Sequence, residues 1–370
     1  MTAYLLVGLV GLVITFVSTP AVRWFALKIG AVDHPSDRKV HALATPTLGG
    51  LAIFLGILGA GAAASLLPTF RIQFTQSSEP LGIAAGAIII FILGAVDDLR
   101  DLPVPVKLAG QVFAAGILFL AGVKMQYLML PIHNGAFALS DDVSVLVTVF
   151  WIVAMINAVN LVDGLDGLAA GIVAIASAAF FVYTALLFRQ GVLNEASSAP
   201  LISIILVGVT LGFLRYNFYP AKVFMGDSGS MPLGLVLGAA TITGIGKLAP
   251  GPQPSAVFLA YFPLLIPLLV IAIPLLDGVF AVIRRARRGQ SVFVADKEHI
   301  HHRLMDLGHG HRQAVIVMYV WSALAAGAAL AFTFLHRSEI LLGFPIAVAA
   351  IVLYTLFPVL TKAVQNRTTP

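Results

Sequence analysis

The chain has 370 residues, 59% hydrophobic and 11% charged, with a formal net charge of +5. Soluble domains carry about a quarter charged residues, so this composition and a mean hydropathy of +0.98 exclude an ordinary soluble domain. The chain has no cysteine, which excludes disulfides, thiolate metal centres and cysteine nucleophiles.

Apolar runs of about 20 residues, enough to cross a bilayer, recur along the whole length. They are continuous rather than alternating, and backbone groups inside a membrane must pair internally, so each run is a helix. The pattern predicts an all-α polytopic integral membrane protein, a single domain over residues 1–370 with about eleven transmembrane helices. In chain order they cover 3–22, 47–67, 81–97, 104–122, 143–160, 168–188, 200–216, 230–247, 255–283, 313–335 and 339–361. The first cation, Arg23, follows the first run, whereas a secretory signal carries its charge in front, so this run is expected to be a retained helix.

Threading these spans alternately gathers 17 of the 22 Lys and Arg residues on one side, in segments 23–46, 98–103, 161–167, 217–229, 284–312 and the C-terminus. The positive-inside rule makes that side cytoplasmic, with the N-terminus outside and the C-terminus inside. Twelve of the 17 Asp and Glu residues share that side although acids contribute little to topology, so their gathering calls for chemistry.

Five polar clusters lie there. The first, "DHPSDRKVHALATPTLGG" at 33–50, presents Arg38, Lys39 and His41 before a tight entry to the second helix; a plain orienting loop is its alternative. The second, "GAVDDLRDLPVPVKLAGQ" at 94–111, puts Asp97 and Asp98 at the end of the third span. Adjacent carboxylates at a membrane surface repel unless a cation sits between them. Mg²⁺ suits them, taking a few carboxylates, waters and substrate phosphates. Lys107 is a candidate phosphate contact or a snorkelling anchor.

The third cluster, "NAVNLVDGLDGLAAG" at 157–171, brings Asn157, Asn160, Asp163 and Asp166 to the end of an apolar helix. Asn157 and Asn160, three apart, share a helix face, and the glycines let backbone approach a ligand. The fourth, "RYNFYPAKVFMGDSGS" at 215–230, sets Asp227 between glycines at an incoming helix N-terminus, with Phe224 placed to stack on a flat base. Such a terminus favours anions; a Gly-rich turn capped by Asp is the alternative.

The fifth, 284–312, opens with Arg284, Arg285, Arg287 and Arg288, an anchor for anionic lipid. It continues with His299, His301, His302 and Arg303, which form a metal site, a cationic clamp on phosphates or a solvated loop; the absence of HExxH excludes a zinc protease. Asp277, inside the ninth span, is expected to be functional or paired. Together, metal-liking acids, phosphate-liking cations and an aromatic on one face suit a Mg²⁺-bound nucleotide diphosphate, with the second substrate drawn from lipid.

"DD" at 97–98 with "KLAGQ", "NAVNLVDGLDGLA", "FMGDSGS" and "HIHHRL" resemble the polyprenyl-phosphate N-acetylhexosamine-1-phosphate transferases, in the same order from about residue 33 to 304. The histidine segment and span count look more like the UDP-GlcNAc branch than the phospho-N-acetylmuramoyl-pentapeptide branch. Ala44 and Lys297 stand where the family often has Pro and Arg.

The resemblance implies transfer of N-acetylglucosamine 1-phosphate from UDP-GlcNAc to undecaprenyl or decaprenyl phosphate, releasing UMP, as the first membrane step of a cell-envelope glycan. It places the enzyme in a bacterial plasma membrane with a cytoplasmic site and Mg²⁺ as cofactor, Mn²⁺ being a substitute. A homodimer is compatible and nucleic acid is not a partner. It further implies that Asn160 and Asp227 ligate Mg²⁺, and that Asn157, Asp163, Asp166 and Phe224 hold the nucleotide. Asp97 would contact or deprotonate the lipid phosphate, with Asp98 supporting the metal region and Asp227 also catalytic. Sugar and phosphate contacts fall to His299, His301, His302 and Arg303, with Arg38, Lys39, His41 and Lys107 nearby.

Two rivals fit less well. A CDP-alcohol phosphotransferase would carry Ala-Arg after Asp-Gly, where this chain has Leu165 and Leu168. A transporter would want its polar groups near the bilayer midplane rather than at one face.

Overall fold

A computed structural model describes residues 1–33, 44–129, 136–245, 310–334, 345 and 348–355. The ninth expected span, Asp277, Arg38, Lys39, His41, His299, His301, His302 and Arg303 lie outside the described residues.

Within the described residues the chain is mostly helical. The helices are α1 (Thr2–Ile29), α2 (Gly50–Ser65), α3 (Arg71–Thr75), α4 (Glu79–Arg100) and α5 (Val104–Leu120). They continue with α6 (Asp141–Val162), α7 (Leu168–Arg189), α8 (Ala199–Asn217), α9 (Asp227–Ile245) and α10 (His311–Phe334). A helix stands at each of the first eight expected spans and at the tenth. On length and composition, six described helices can cross a membrane, and the bent pair of α2 with the turn and helix after it makes a seventh. Leu5, Leu9 and Val17 on α1, Phe113 on α5, and Leu146 and Phe150 on α6 are exposed. So much apolar surface is a liability in water and suits contact with lipid tails.

Three features depart from the plain hydropathy reading. The all-α expectation needs two small antiparallel additions, β1 (Val32–Asp33) with β2 (Thr45–Pro46), and β3 (Tyr127–Met129) with β4 (Ala136–Ala138). Chain leaving a helix end must still pair its backbone groups, and these hairpins do so. The chain past the second expected span, 47–67, is not a plain loop: α2 stops at Ser65, a 3-10 turn covers Pro68–Phe70, and α3 leaves at 92°. Pro68 has no N–H and disfavours helix in the residue before it. Finally, α1 runs on to Ile29 and stops at Gly30, whose φ of 75° is left-handed, with the Ala31 N–H returning to the Ala26 carbonyl.

The bundle is built around α9. Residues 228–244 of this helix are all buried, packed against α2, α4, α6, α7 and α8. Small residues permit that closeness, as membrane helices lack a hydrophobic drive toward each other and gain from tight backbone approach. A Cβ on Gly234 would run into the backbone of Met155 and Ile156 on α6. The outer pair α1 and α8 uses the same device, where a Cβ on Gly208 would meet the Gly8 carbonyl.

Candidate active site

Of the polar side chains expected to act together, Asp97, Asp98, Lys107, Asn160 and Asp227 meet at one end of the bundle, around the first turn of α9. A helix N-terminus carries unpaired N–H groups and partial positive charge. Here Asp98, from the last turn of α4, supplies the acceptors: its Oδ1 takes the Asp227 N–H at 2.7 Å and its Oδ2 the Ser228 N–H at 3.2 Å. Asp98 therefore caps a helix other than its own. Gly226 makes room, with a φ of 68° and a position where a Cβ would collide with the Asp98 carboxylate.

Two more glycines press backbone against this turn. A Cβ on Gly94 of α4 would meet the Asp227 carbonyl, and one on Gly50 of α2 the Ser228–Gly229 peptide. The stretch before α2 is laced to the same region. The Phe224 N–H donates to the Pro46 carbonyl at 2.8 Å, and the Gly49 and Gly50 N–H groups return to the carbonyls of Phe224 and Met225 at 2.9 and 3.0 Å.

Asp227, so positioned, faces groups from three helices. Lys107 Nζ, at the start of α5, donates to Asp97 Oδ2 at 2.9 Å and to Asp227 Oδ2 at 3.2 Å. Asn160 Nδ2, near the end of α6, donates to Asp227 Oδ1 at 2.7 Å and to Ser230 Oγ at 3.0 Å. Asp97 Oδ1 accepts the Leu102 N–H at 2.7 Å. Two carboxylates thus lie side by side across one ammonium.

The nucleotide candidates sit in the loops flanking this centre. Asp166 Oδ2 accepts the Ala221 N–H at 2.9 Å, joining the α6–α7 loop to the α8–α9 loop. Asn217, buried at the end of α8, fastens the same two loops: its Oδ1 accepts the Gly167 N–H and its Nδ2 donates to the Val223 carbonyl, both at 3.1 Å. Tyr319 of α10 donates its hydroxyl to the Gly167 carbonyl. Burial first, and then the neighbouring carboxylates of Asp227, Asp98 and Asp166, together push the Asp163 carboxyl up to about 8.

Asn157 and Asn160 do not serve one partner. Sixty degrees of helix rotation turns Asn160 to α9 and Asn157 to α5, where its Nδ2 donates to Gln111 Oε1 at 2.7 Å. Asp97, Asp98, Lys107, Asn160 and Asp227 are therefore one connected cluster; Asp163, Asp166 and Phe224 lie on its loops, and Asn157 stands apart. Sequence reading passed over Ser230, Asn217, Gln111 and Tyr319. Ser230 lies inside "GDSGS", and Asn217 is an amide at an apolar helix end, a signal of the same kind that marks Asn160.

The sequence model of glycosyl transferase family 4 matches residues 80–245, the stretch that holds this cluster. A decaprenyl-phosphate N-acetylglucosaminephosphotransferase of Mycobacterium tuberculosis (strain ATCC 25618 / H37Rv) is 42% identical over 364 residues, covering 96% of this chain and 89% of the relative. The chain belongs to glycosyl transferase family 4. Other relatives of this family member carry related names. A probable undecaprenyl-phosphate N-acetylglucosaminyl 1-phosphate transferase of Bacillus subtilis (strain 168) is 39% identical over 312 residues, 84% of this chain and 80% of its own. An undecaprenyl-phosphate alpha-N-acetylglucosaminyl 1-phosphate transferase of Escherichia coli (strain K12) is 32% identical over 320 residues, 85% and 80% of the two chains. The resemblance carried by the motifs is thus borne out, including its N-acetylglucosamine branch.

Proposed function

We propose that this family 4 member transfers N-acetylglucosamine 1-phosphate from UDP-GlcNAc to a polyprenyl phosphate, releasing UMP, at the cytoplasmic face of a bacterial plasma membrane. The observation that carries the reading is the cluster of Asp97, Asp98, Lys107, Asn160 and Asp227, drawn from four helices to one end of an apolar bundle. The charge asymmetry of the loops supports a cytoplasmic site, an outside N-terminus and about eleven spans. Beside Lys107, Val104 and Leu108, one turn apart on the same side of α5, are exposed. Such an apolar strip suits an acceptor whose phosphate reaches the cluster from within the membrane.

Phosphoryl transfer asks for positioning and charge neutralisation more than covalent help. A terminal oxygen of the lipid phosphate attacks the phosphorus that bears the sugar, and the bond from that phosphorus to the oxygen bridging to UMP breaks. Lys107 supplies positive charge to the phosphates, and Asp163, Asp166 and Phe224 hold the uridine. A phosphate monoester has a second pKa near about 6 and is mostly dianionic at neutral pH. Asp97 therefore positions the attacking phosphate more than it deprotonates it.

The donor set fits Mg²⁺. It is all hard oxygen, and among the described residues no three His, Cys, Asp or Glu side chains form a complete protein cage. That pattern suits an ion which completes its shell with substrate phosphates and water. Asp227 and Asn160 would hold it, the Asn160 carboxamide turning over to present Oδ1 where Nδ2 now donates. When bound, the ion neutralises charge on the diphosphate.

The deciding assay uses the purified chain with UDP-GlcNAc, Mg²⁺ and undecaprenyl phosphate. UMP should appear only with all three present, and UDP-GlcNAc should lead a panel of UDP-sugars. UMP release without the lipid would overturn the reading, and preference for UDP-N-acetylmuramoyl-pentapeptide would move the chain to the sister branch.

A further inference from the structure

We infer that Lys107 is a built-in stand-in for the divalent cation: in the substrate-free protein its ammonium holds Asp97 and Asp227 together, and it yields that place when the cation arrives with the sugar nucleotide. The inference rests on the proposed function and adds an order of binding to it.

Each oxygen of the two carboxylates already accepts a hydrogen bond. Asp97 Oδ1 takes the Leu102 N–H and Asp227 Oδ1 takes Asn160 Nδ2. Asp97 Oδ2 and Asp227 Oδ2 share Lys107 Nζ. A divalent cation held by Asp227 and the turned-over Asn160 carboxamide enters beside the Lys107 ammonium, 3.2 Å from Asp227 Oδ2, and the two positive charges repel. The Leu102 N–H is fixed in backbone beyond the end of α4. Lys107 is the mobile donor, a point charge on a flexible four-carbon stem, with its side chain 25% exposed. Its charge also makes it the donor whose removal most favours an incoming cation, since two carboxylates left alone repel each other.

An ammonium in that place opposes the cation on its own. A sugar nucleotide changes the balance, because its diphosphate gives Lys107 a new anion to pair with as the cation takes Asp227. Cation and nucleotide should therefore bind cooperatively, each strengthening the other by the same factor. Each charge-assisted hydrogen bond lost is worth on the order of tenfold or more.

The test measures free Mn²⁺ by electron paramagnetic resonance, with the purified full chain, with and without UDP-GlcNAc and without lipid acceptor. Wild-type protein should bind Mn²⁺ weakly alone and at least about tenfold more tightly with UDP-GlcNAc. Lys107→Met should bind Mn²⁺ alone about 10–100-fold more tightly than wild type, with little further gain from nucleotide. Lys107→Arg, which keeps the charge, should stay weak.

Added Mn²⁺ should also raise the unfolding temperature of Lys107→Met more than that of wild type, which guards against a misfolded variant. Equal or weaker nucleotide-free binding by Lys107→Met overturns the inference while leaving the proposed function standing. Absence of Mn²⁺ binding by wild type with UDP-GlcNAc, or full binding by Asp227→Asn, removes the metal reading and the inference with it.

Discussion

Asp98 is the sharpest test of what the adjacent carboxylates do, because its hydrogen bonds are to backbone rather than to a reacting group. Asp98→Asn leaves one acceptor oxygen for two N–H donors, those of Asp227 at 2.7 Å and Ser228 at 3.2 Å. One charge-assisted hydrogen bond is lost, at about 1.5–3 kcal/mol. The negative charge at the α9 N-terminus goes too, at about 0.3–1 kcal/mol. Neutralising a largely buried group that faces the Asp227 carboxylate offsets part of this, so the folded state should lose about 1–3 kcal/mol in total. Asp227 is the residue directly released, and a misplacement of about 1 Å can cost about 100-fold in rate. Thermal unfolding in detergent without divalent metal, run beside the UMP-release assay, should show both losses. An unchanged unfolding midpoint with turnover abolished would refute the capping role and make Asp98 a group that touches substrate or cation.

Gly226→Ala places a Cβ at a left-handed φ of 68° and against the Asp98 carboxylate. It should cost about 1–2 kcal/mol of backbone strain, and in the unfolding assay its effect should be less than additive with Asp98→Ala. For pH, the raised Asp163 carboxyl means that the fold favours its protonated form. Its contribution to stability is full below the ordinary carboxyl range, near about 4, and is lost as pH rises through about 8. Unfolding midpoints of metal-free protein should fall between pH 5 and 8 by about this linkage, and Asp163→Asn should flatten the slope; equal slopes would remove Asp163 as its source. Asn217→Ala orphans the Gly167 N–H and the Val223 carbonyl, at about 1–3 kcal/mol each. It should raise KM for UDP-GlcNAc more than it lowers kcat, and the reverse pattern would show that the two loops do not need this tie to hold the nucleotide.

Hydropathy alone located the helices because a bilayer imposes one length and one composition on anything that crosses it. It ended the second span at 67, within two residues of the end of α2 at Ser65, but did not show the short helix Arg71–Thr75 that follows the Pro68 turn. Nor could it separate α9 from the outer helices: a helix buried all round and one facing lipid have the same apolar signature. Polar residues at helix ends were legible as a group, since a charge near a membrane needs a reason. Their pairings were not. Whether Asp98 points to a cation or to a neighbouring helix depends on how closely α4 passes α9, set by Gly94 and Gly226 far apart in sequence. Asn157 and Asn160 show the same limit, because a shared face does not decide which neighbour each one meets.

The first turn of α9 is hemmed by main chain on two sides, from Gly94 and Gly50, and by the Asp98 carboxylate on a third. Main chain cannot step aside by changing rotamer. A bulkier residue at any of these positions forces a whole helix to shift, so variation in this wall is closed off even where no substrate touches it. Specificity can drift only at the rim, through side chains on the loops, while the post that carries Asp227 stays where the surrounding helices hold it.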